Sequence, residues 1–281
     1  MPGILIRRVQ HFYEWSGGRF NPDLPTMVFI HGWGGSSRYW EDTAATLADS
    51  YNCLLYDLRG FGRSHLPRPT PVLDYDLEDY ALDLAELLNQ LDLRQVDIHA
   101  HSFGASVALL FADLYPERVH RLMLVCSGIF TYNPIAFKAF HFFGSYVVWF
   151  RPPWLIKLPG AGQIFMARFL HRPLDKTTNQ CFLADFLEAD YPAALAALET
   201  IYTAVSKKMS ERMPECFTRL AMPTLLVAGE KDQIIPASLA RRAVALNRAI
   251  AYQEIPAVGH FPMLEAPQEY LNIIQTFLKA S

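Results

Sequence analysis

The sequence lacks any long apolar run: no stretch reaches the ~18 uninterrupted apolar residues that a membrane-spanning helix needs. Residues 1–15 also lack the apolar core of a signal peptide, because Arg7, Arg8, His11 and Glu14 interrupt them. Their alternating apolar and polar side chains predict a strand instead. We therefore expect a soluble protein that touches a membrane, if at all, only at its surface.

The sequence has few cysteines and no excess of positive charge. The cysteines lie far apart and form no CxxC pair, which predicts free thiols in a reducing compartment and hence a cytoplasmic location. A net charge of −3 argues against non-specific nucleic-acid binding over the whole surface, so we expect no nucleic-acid partner. A phosphate loop and a GxGxxG fingerprint are absent as well, and we expect no cofactor.

What the chain does contain is a pattern of short apolar runs alternating with helical segments. Hydrophobic residues make up 51% of its 281 residues, enough for a large buried core. From residue 25 onward the alternation predicts an α/β fold, a mostly parallel sheet with helices on both faces. The predicted parallel strands are Met27–His31, Cys53–Asp57, Val96–His101, Leu122–Cys126, Thr224–Ala228 and Ala251–Ile255. Two antiparallel strands, near Ile4–Val9 and Phe12–Trp15, bring the predicted sheet to eight.

Five helices accompany these strands, and one long segment interrupts the alternation. The predicted helices are Tyr39–Ala48, Leu77–Leu91, Phe103–Tyr115, Ser238–Leu246 and Pro267–Lys279. Residues 129–213 have helical character, repeated prolines and no strand signal. We therefore predict a helical cap over 129–213, inserted into a core formed by residues 1–128 and 214–281.

The motif Ala100-His101-Ser102-Phe103-Gly104 stands where a predicted strand meets a predicted helix. A serine on such a sharp turn exposes its hydroxyl above the sheet, and small neighbours let strand and helix pass closely. A serine that begins a helix is also a common N-cap, so this pentapeptide alone leaves both roles open.

A glycine-rich loop, His31-Gly32-Trp33-Gly34-Gly35, follows the first parallel strand and so reaches the same edge of the sheet. Backbone N–H groups are the usual donors to the oxyanion that forms when an ester carbonyl is attacked. We predict that Trp33 and Phe103 supply them. The loop is equally typical of an ordinary turn, and we expect His31 to be structural.

Two further loops carry an acid and a base. Asp232 follows the strand Thr224–Ala228, and His260 follows the strand Ala251–Ile255. Serine needs a base with a pKa near 7, and that base needs a carboxylate to orient it, so Ser102, His260 and Asp232 are the predicted catalytic residues. Glu230 is the reserve choice for the acid.

Two alternative interpretations, another position for the acid and a metal site, are less favourable. A carboxylate after the strand that ends near Cys126 is the alternative, but no Asp or Glu occurs between Glu117 and Asp175. His99 and His101 form an H-x-H spacing without a third ligand, so we predict no metal site and a structural role for both.

These motifs, with residues 57–64 (DLRGFGRS) and 259–267 (GHFPMLEAP), resemble the α/β-hydrolase superfamily, in the branch of capped esterases, lipases and carbon–carbon hydrolases. The resemblance covers residues 26–127 and 222–277, and the order Ser…Asp…His is the one this fold uses. It implies the α/β-hydrolase fold, with the insertion as a lid. Ala100 and Ala105 stand where glycine is common, but neither change removes a catalytic atom.

The first half of the predicted cap is rich in aromatic residues. Residues 129–172 contain basic side chains and no carboxylate. Read as a helix from Pro134, the segment places one apolar face along Phe137, Phe140, Val147 and Phe150. A second apolar face consists of Phe142, Tyr146 and Trp149, which we predict to line a substrate pocket. Aromatic and basic residues together also suit the surface of an anionic bilayer, and an ordinary cap core is the third interpretation.

The sequence therefore predicts a hydrolase that cleaves the carboxylic ester of a small lipophilic substrate: an acylglycerol, another lipid acyl ester or a prenyl-type ester. A carbon–carbon bond hydrolase with the same triad is the first alternative. The second is a receptor that keeps the fold and binds a hydrophobic ligand under its lid. Ser102 in place of Asp disfavours a dehalogenase or an epoxide hydrolase.

Overall fold

The structure is a computed structural model that describes residues 3–68, 74–130, 133–202 and 204–280. Its strands are β1 (Gly3–Ile6), β2 (Val9–Trp15), β3 (Thr26–Ile30), β4 (Asn52–Tyr56), β5 (Val96–His101), β6 (Val119–Val125), β7 (Thr224–Gly229) and β8 (Ile250–Ile255). They form one sheet in the order β1-β2-β4-β3-β5-β6-β7-β8. The pairs β1–β2 and β2–β4 are antiparallel and all others are parallel. The predicted fold class, with its eight-stranded, mostly parallel sheet, is confirmed.

The helices account for most of the remaining chain. They are α1 (Glu41–Leu47), α2 (Leu77–Gln90), α3 (Phe103–Leu114), α4 (Pro134–Trp149), α5 (Ala161–Met166), α6 (Lys176–Glu188), α7 (Tyr191–Tyr202), α8 (Ala204–Arg219), α9 (Ala237–Leu246), α10 (Pro262–Glu265) and α11 (Pro267–Ala280). Short 3₁₀ helices cover Ser37–Trp40, Pro116–Arg118 and Pro153–Lys157. The first of them begins the helix predicted at Tyr39–Ala48.

Helices cover both faces of the sheet, which explains why both sides of strand β3 are buried. Along β3, Val28 and Ile30 join one buried cluster, whereas Met27 and Phe29 join the other. Successive side chains of a strand point to opposite faces, so β3 contributes side chains to the cores on both sides of the sheet. This arrangement leaves the two ends of the strands as the places where polar side chains gather.

The segment between β6 and β7 contains α4 to α8 and no strand among its described residues. The predicted cap boundary at 213/214 falls inside α8, where Met213 and Phe217 belong to the main buried cluster. Ala193 and Ala197 of α7 belong to it too. The helices of this segment therefore pack continuously with the sheet, and the division into core and cap stays a prediction.

The structure also describes the features that bear on membrane insertion and on cysteine pairing. Within the described ranges, no helix combines the length and the apolarity needed to cross a bilayer. The four cysteines are free; Cys53, Cys126 and Cys216 are buried, and Cys181 is exposed.

Candidate active site

Ser102 occupies the sharp turn between β5 and α3. Its backbone has φ 54° and ψ −118°, a conformation that is rare for any residue other than glycine. The turn requires close passage: a Cβ on Gly104 would lie 2.3 Å from the carbonyl oxygen of His31. Ala100, two positions before the serine, is fully buried. The turn leaves Ser102 partly exposed at the carboxyl edge of the sheet.

The structure brings Ser102, His260 and Asp232 together at this edge. His260 Nε2 lies 2.9 Å from Ser102 Oγ, and His260 Nδ1 lies 2.7 Å from Asp232 Oδ2. In the tautomer that donates Nδ1–H to the carboxylate, Nε2 accepts the serine O–H. The strands β5, β7 and β8 are parallel, so the loops after them meet although the residues are far apart in sequence.

The acid and base loops are in contact through two glycines. A Cβ on Gly229 would lie 2.0 Å from Gly259 O, and a Cβ on Gly259 would lie 2.6 Å from Phe169 O. Lys231 N donates to Val258 O at 2.8 Å, which joins the loops further. A side chain at Gly229 would push the two loops apart, and one at Gly259 would push the His260 loop away from Phe169.

Asp232 is held as a carboxylate. Its side chain is fully buried, and its Oδ1 accepts from Ile234 N and Ile235 N at 2.8 and 3.0 Å. Burial by itself raises the pKa of the Asp232 carboxyl, but His260 and these two N–H groups outweigh it and hold the pKa below its usual value. A buried carboxylate in this position accepts the Nδ1–H of the imidazole and fixes the orientation of the ring.

Glu230, the reserve acid, lies elsewhere. It is exposed, accepts from Ala257 N at 2.9 Å and pairs with Lys231 Nζ at 2.9 Å. The Ala257 N–H and Lys231 lower the pKa of its carboxyl. The structure places Asp232, not Glu230, against His260.

The glycine-rich loop after β3 approaches the same point. A Cβ on Gly32 would lie 3.2 Å from Ser102 Cβ, so the loop backbone passes directly beside the serine. Trp33 and Phe103, the predicted oxyanion donors, both line the cavity that Ser102 faces. Phe103 is the first residue of α3, and the first N–H groups of a helix have no acceptor within it.

His31 and His101 tie these loops together. His31 Nδ1–H donates to Gly32 O and its Nε2 accepts from Leu58 N, both at 2.8 Å. His101 Nε2–H donates to His260 O at 2.8 Å, and its Nδ1 accepts from Tyr39 O–H at 3.1 Å. Tyr39 in turn accepts from Gly32 N. Burial lowers the pKa of both histidines, so neutral imidazoles link the glycine-rich loop to the backbone of His260.

One grouping that sequence reasoning missed comprises His101, Cys126 and His260, whose ligand-type atoms lie within 4.8 Å of one another. The ring nitrogens of both histidines already take part in the hydrogen bonds described above. Burial and the neighbouring Asp232 carboxylate raise the pKa of the Cys126 thiol well above its ordinary value. A metal ion here would have to displace hydrogen bonds of the site itself.

Sequence reasoning also missed Glu265. This buried carboxylate accepts from Gly259 N at 3.0 Å and Phe261 N at 3.1 Å, on either side of His260. It also accepts from His171 N and Arg172 N at 2.7 Å. Glu265 therefore joins the His260 loop to the segment before α6. Its only signal in the sequence was its place within residues 259–267.

A cavity of about 300 Å³ opens from Ser102 and His260. Its walls come from several elements of the fold. The apolar side chains that line it include Phe143, Val147, Phe165, Phe169, Phe182 and Leu198. Arg168 adds one charged side chain to the lining. No single helix pattern predicts such a set, because no helix contributes more than three of the lining residues.

The prediction that Phe142, Tyr146 and Trp149 line the pocket is wrong. Their exposed fractions are 56%, 56% and 69%, and the residues that α4 turns to the cavity are Phe143, Gly144 and Val147. The buried side of α4 is marked by Val148, which lies between the two predicted faces. The side chains of Phe137 and Phe140, which belong to the other predicted face, lie outside the described residues.

The sheet order, the serine turn and the three hydrogen-bonded side chains are those of the α/β-hydrolase class. The family model described as alpha/beta hydrolase fold matches residues 25–267, and the chain belongs to this family. Hydrolysis is the activity class that the family and its members support.

Relatives and solved structures are similar to the chain over nearly its whole length. An uncharacterised protein of Mycobacterium tuberculosis is 30% identical over 99% of this chain and 82% of its own. RutD of Pseudomonas syringae, provisionally named a carbamate hydrolase, is 30% identical over 91% of this chain and 94% of its own. The structure of an esterase from Thermogutta terrifontis has a TM-score of 0.75 and 23% identity, covering 99% of this chain and 98% of that chain. That last similarity shows the fold alone.

Proposed function

We propose that the chain is a serine hydrolase in which Ser102 is the nucleophile, His260 the general base and Asp232 the residue that orients it. The observation that carries this proposal is the hydrogen-bonded series Asp232–His260–Ser102, with spacings of 2.7 and 2.9 Å, at the floor of an apolar cavity. A serine hydroxyl is a weak nucleophile at neutral pH, and an adjacent oriented imidazole is what activates it.

In the proposed reaction, Ser102 Oγ attacks the carbonyl carbon of an ester while its proton passes to His260 Nε2. The N–H groups of Trp33 and Phe103 donate to the resulting oxyanion. The C–O bond to the alcohol then breaks, and His260 returns the proton to the departing oxygen. Water attacks the acyl-enzyme with its proton going to His260, and the acid leaves as Ser102 recovers that proton.

The walls of the cavity indicate the class of substrate. Aromatic and aliphatic side chains surround the serine, and burying an apolar chain against them is favourable by about 25 cal/mol per Å². Arg168 is the one permanently charged side chain in this lining. These features support an ester with a long or bulky apolar group: an acylglycerol, another lipid acyl ester or a prenyl-type ester.

Carbamate hydrolysis is a second candidate, because a relative 30% identical over 91% of the chain carries that name. The same triad chemistry applies to a carbamate carbonyl. A small polar carbamate, however, would leave most of the apolar wall without contacts. The ester therefore fits this cavity better.

Labelling and turnover together test the proposal. Wild-type protein is treated with a fluorophosphonate and then assayed on p-nitrophenyl esters of increasing chain length and on a carbamate. We expect labelling and turnover that rises with chain length, and loss of both in Ser102→Ala. Labelling that persists in Ser102→Ala would remove Ser102 as nucleophile. A labelled protein without ester turnover would favour the carbon–carbon hydrolase or the receptor, and faster carbamate turnover would favour the second candidate.

A further inference from the structure

Helix α4 and the turn after it carry an exposed apolar surface, which we call the aromatic face. The exposed fractions of its members range from 51% to 83%. They are Ile135, Phe142, Phe143, Tyr146, Trp149, Phe150 and Trp154. Monomeric soluble proteins rarely expose a contiguous apolar surface of this kind unless something binds to it.

The members of the aromatic face on α4 lie side by side around the helix. At about 100° per residue, positions 135, 142, 143, 146, 149 and 150 fall within an arc of roughly 140°, and Lys138 falls at its edge. Val148, which is fully buried, points to the opposite side. The helix therefore sits on the protein through one side and presents the other to solvent.

The rings of this face also touch one another. Phe142 has its ring centroid 5.5 Å from that of Phe143 and 5.1 Å from that of Tyr146. Phe150 links Trp149 and Trp154, with 6.4 Å between centroids in each pair. The aromatic face thus contains two groups of neighbouring rings, and Tyr146 of one group lies one helical turn from Phe150 of the other.

The charged side chains of the segment that carries the face have one sign. No Asp or Glu occurs between Glu117 and Asp175. Lys138, Lys157 and Arg168 are exposed, and within the described chain no ion pair joins any of them to a carboxylate. This part of the surface combines exposed aromatics with positive charge that is not neutralised.

Two other cations of the segment have partners. Arg151 donates to the carbonyl oxygens of Phe186 and Ala189 at 2.9 and 2.8 Å. Arg172 pairs with Glu269 at 3.0 Å. These two arginines therefore hold the segment to the rest of the protein. Lys138, Lys157 and Arg168 form no ion pair with a carboxylate of the described residues.

We propose that the aromatic face docks on the surface of an anionic phospholipid bilayer. Trp and Tyr favour the headgroup level of membranes, and each nearby Lys or Arg adds attraction to anionic lipid. A protein partner is the weaker explanation, because protein interfaces are depleted of lysine while the rim here contains Lys138 and Lys157.

The position of the cavity mouth also supports docking of the aromatic face on a bilayer. Phe143 and Val147 line the cavity and are also 69% and 51% exposed, so its mouth borders the aromatic face. A docked protein would open its cavity toward the lipid. The docking itself does not depend on the proposed function, because vesicle binding is measured without turnover.

The test is co-sedimentation of the full chain with vesicles of phosphatidylcholine, with or without phosphatidylglycerol. We expect binding to the anionic vesicles on the order of 100-fold tighter, and weaker binding at high salt. Replacing Phe142, Tyr146 and Trp149 together with serine should weaken binding at least ~10-fold. A matched control, Leu114→Ser with Leu246→Ser, removes exposed apolar residues elsewhere and should leave binding unchanged.

Several results would overturn the proposal. These are no vesicle binding by wild type, equal binding by the triple variant, or a wild-type dimer that the triple variant dissociates without any vesicle binding. If the triple variant fails to fold, brominated phospholipid supplies an independent readout in wild type. Quenching of tryptophan fluorescence that Trp149→Phe and Trp154→Phe together abolish supports docking, and unquenched wild type contradicts it.

Discussion

The carboxyl edge of the sheet and helix α4 meet at the same cavity but are built on different principles. At the sheet edge, Asp232 and His260 are buried, and each has hydrogen-bond partners from other loops. On α4, Phe142 and Trp149 are more than half exposed and contact mainly their neighbours on the same segment.

This difference indicates which changes each region tolerates. Backbone approaches at Gly104 and Gly229 leave no room for a side chain, so the positions at the sheet edge are determined by the fold. The exposed side of α4 meets no such constraint from the protein itself. Its aromatic residues are free to change unless something outside the chain requires them, and the following predictions test this contrast.

The largest effect is expected at the sheet edge. Asp232→Asn should lower kcat of the proposed ester hydrolysis by about 10²–10⁴-fold, because the amide favours the wrong tautomer of His260. Glu230→Gln should change kcat less than about twofold, since Glu230 pairs on the surface with Lys231. Steady-state kinetics of both variants decide the matter. A larger loss in Glu230→Gln would show that Asp232 is the wrong assignment for the acid.

The next effect concerns the loop that carries His260. Glu265→Gln should lower the free energy of unfolding by about 2–4 kcal/mol, because an amide NH₂ would face N–H groups that now donate to carboxylate oxygens. Glu269→Gln is the matched control, since Glu269 is half exposed and its one ion pair among the described residues is with Arg172, and it should cost under about 0.5 kcal/mol. Urea denaturation measures both; equal losses would contradict the role given to Glu265.

A smaller effect separates the two sides of α4. Phe143→Ser with Val147→Ser should lower kcat/KM for a soluble long-chain ester. The corresponding activation free energy should rise by about 1–3 kcal/mol per residue, and the kcat/KM of acetate esters should not change. Serine at Phe142, Tyr146 and Trp149 should leave both rates within about twofold, because these residues lie outside the cavity. If the triple variant lost long-chain activity as fully as the pair, the sequence-based assignment of the pocket would be restored.

The smallest effect is a dependence of stability on pH that arises in the sheet region. Burial lowers the pKa of His99 to about 3 and that of His11 to about 4. Because the folded pKa lies below the unfolded value of 6.5, the stabilisation is complete above pH 6.5 and is lost as the pH falls toward the folded pKa.

Each such histidine should steepen the loss by about 1 kcal/mol per pH unit between pH 6 and pH 4. His99→Gln, which keeps a hydrogen-bonding group near Tyr270, should therefore show a shallower slope by that amount. Denaturation curves at a series of pH values measure this slope. An unchanged slope would mean that His99 is protonated in the folded protein or does not titrate in this range.

Sequence reasoning identified the residues of the sheet edge because each carries a local signature. Ser102 sits between a predicted strand and a helical pattern, and Asp232 and His260 each follow a predicted strand. Parallel pairing then places the loops after those strands at one edge. Glu265 had no comparable signature, because its partners at residues 171 and 172 are brought to it only by packing.

The faces of α4 show the limit of the same reasoning. Periodicity determined that residues from Pro134 onward form a helix and that most of its surface is apolar. When nearly every position is apolar, the pattern contains no information on which side faces the protein. Only the tertiary structure decided that Val148 is buried and that Phe143 and Val147 face the cavity. By itself the sequence determined which loops carry the functional residues, since motif chemistry is local, whereas the cavity wall depends on contacts between helices distant in sequence.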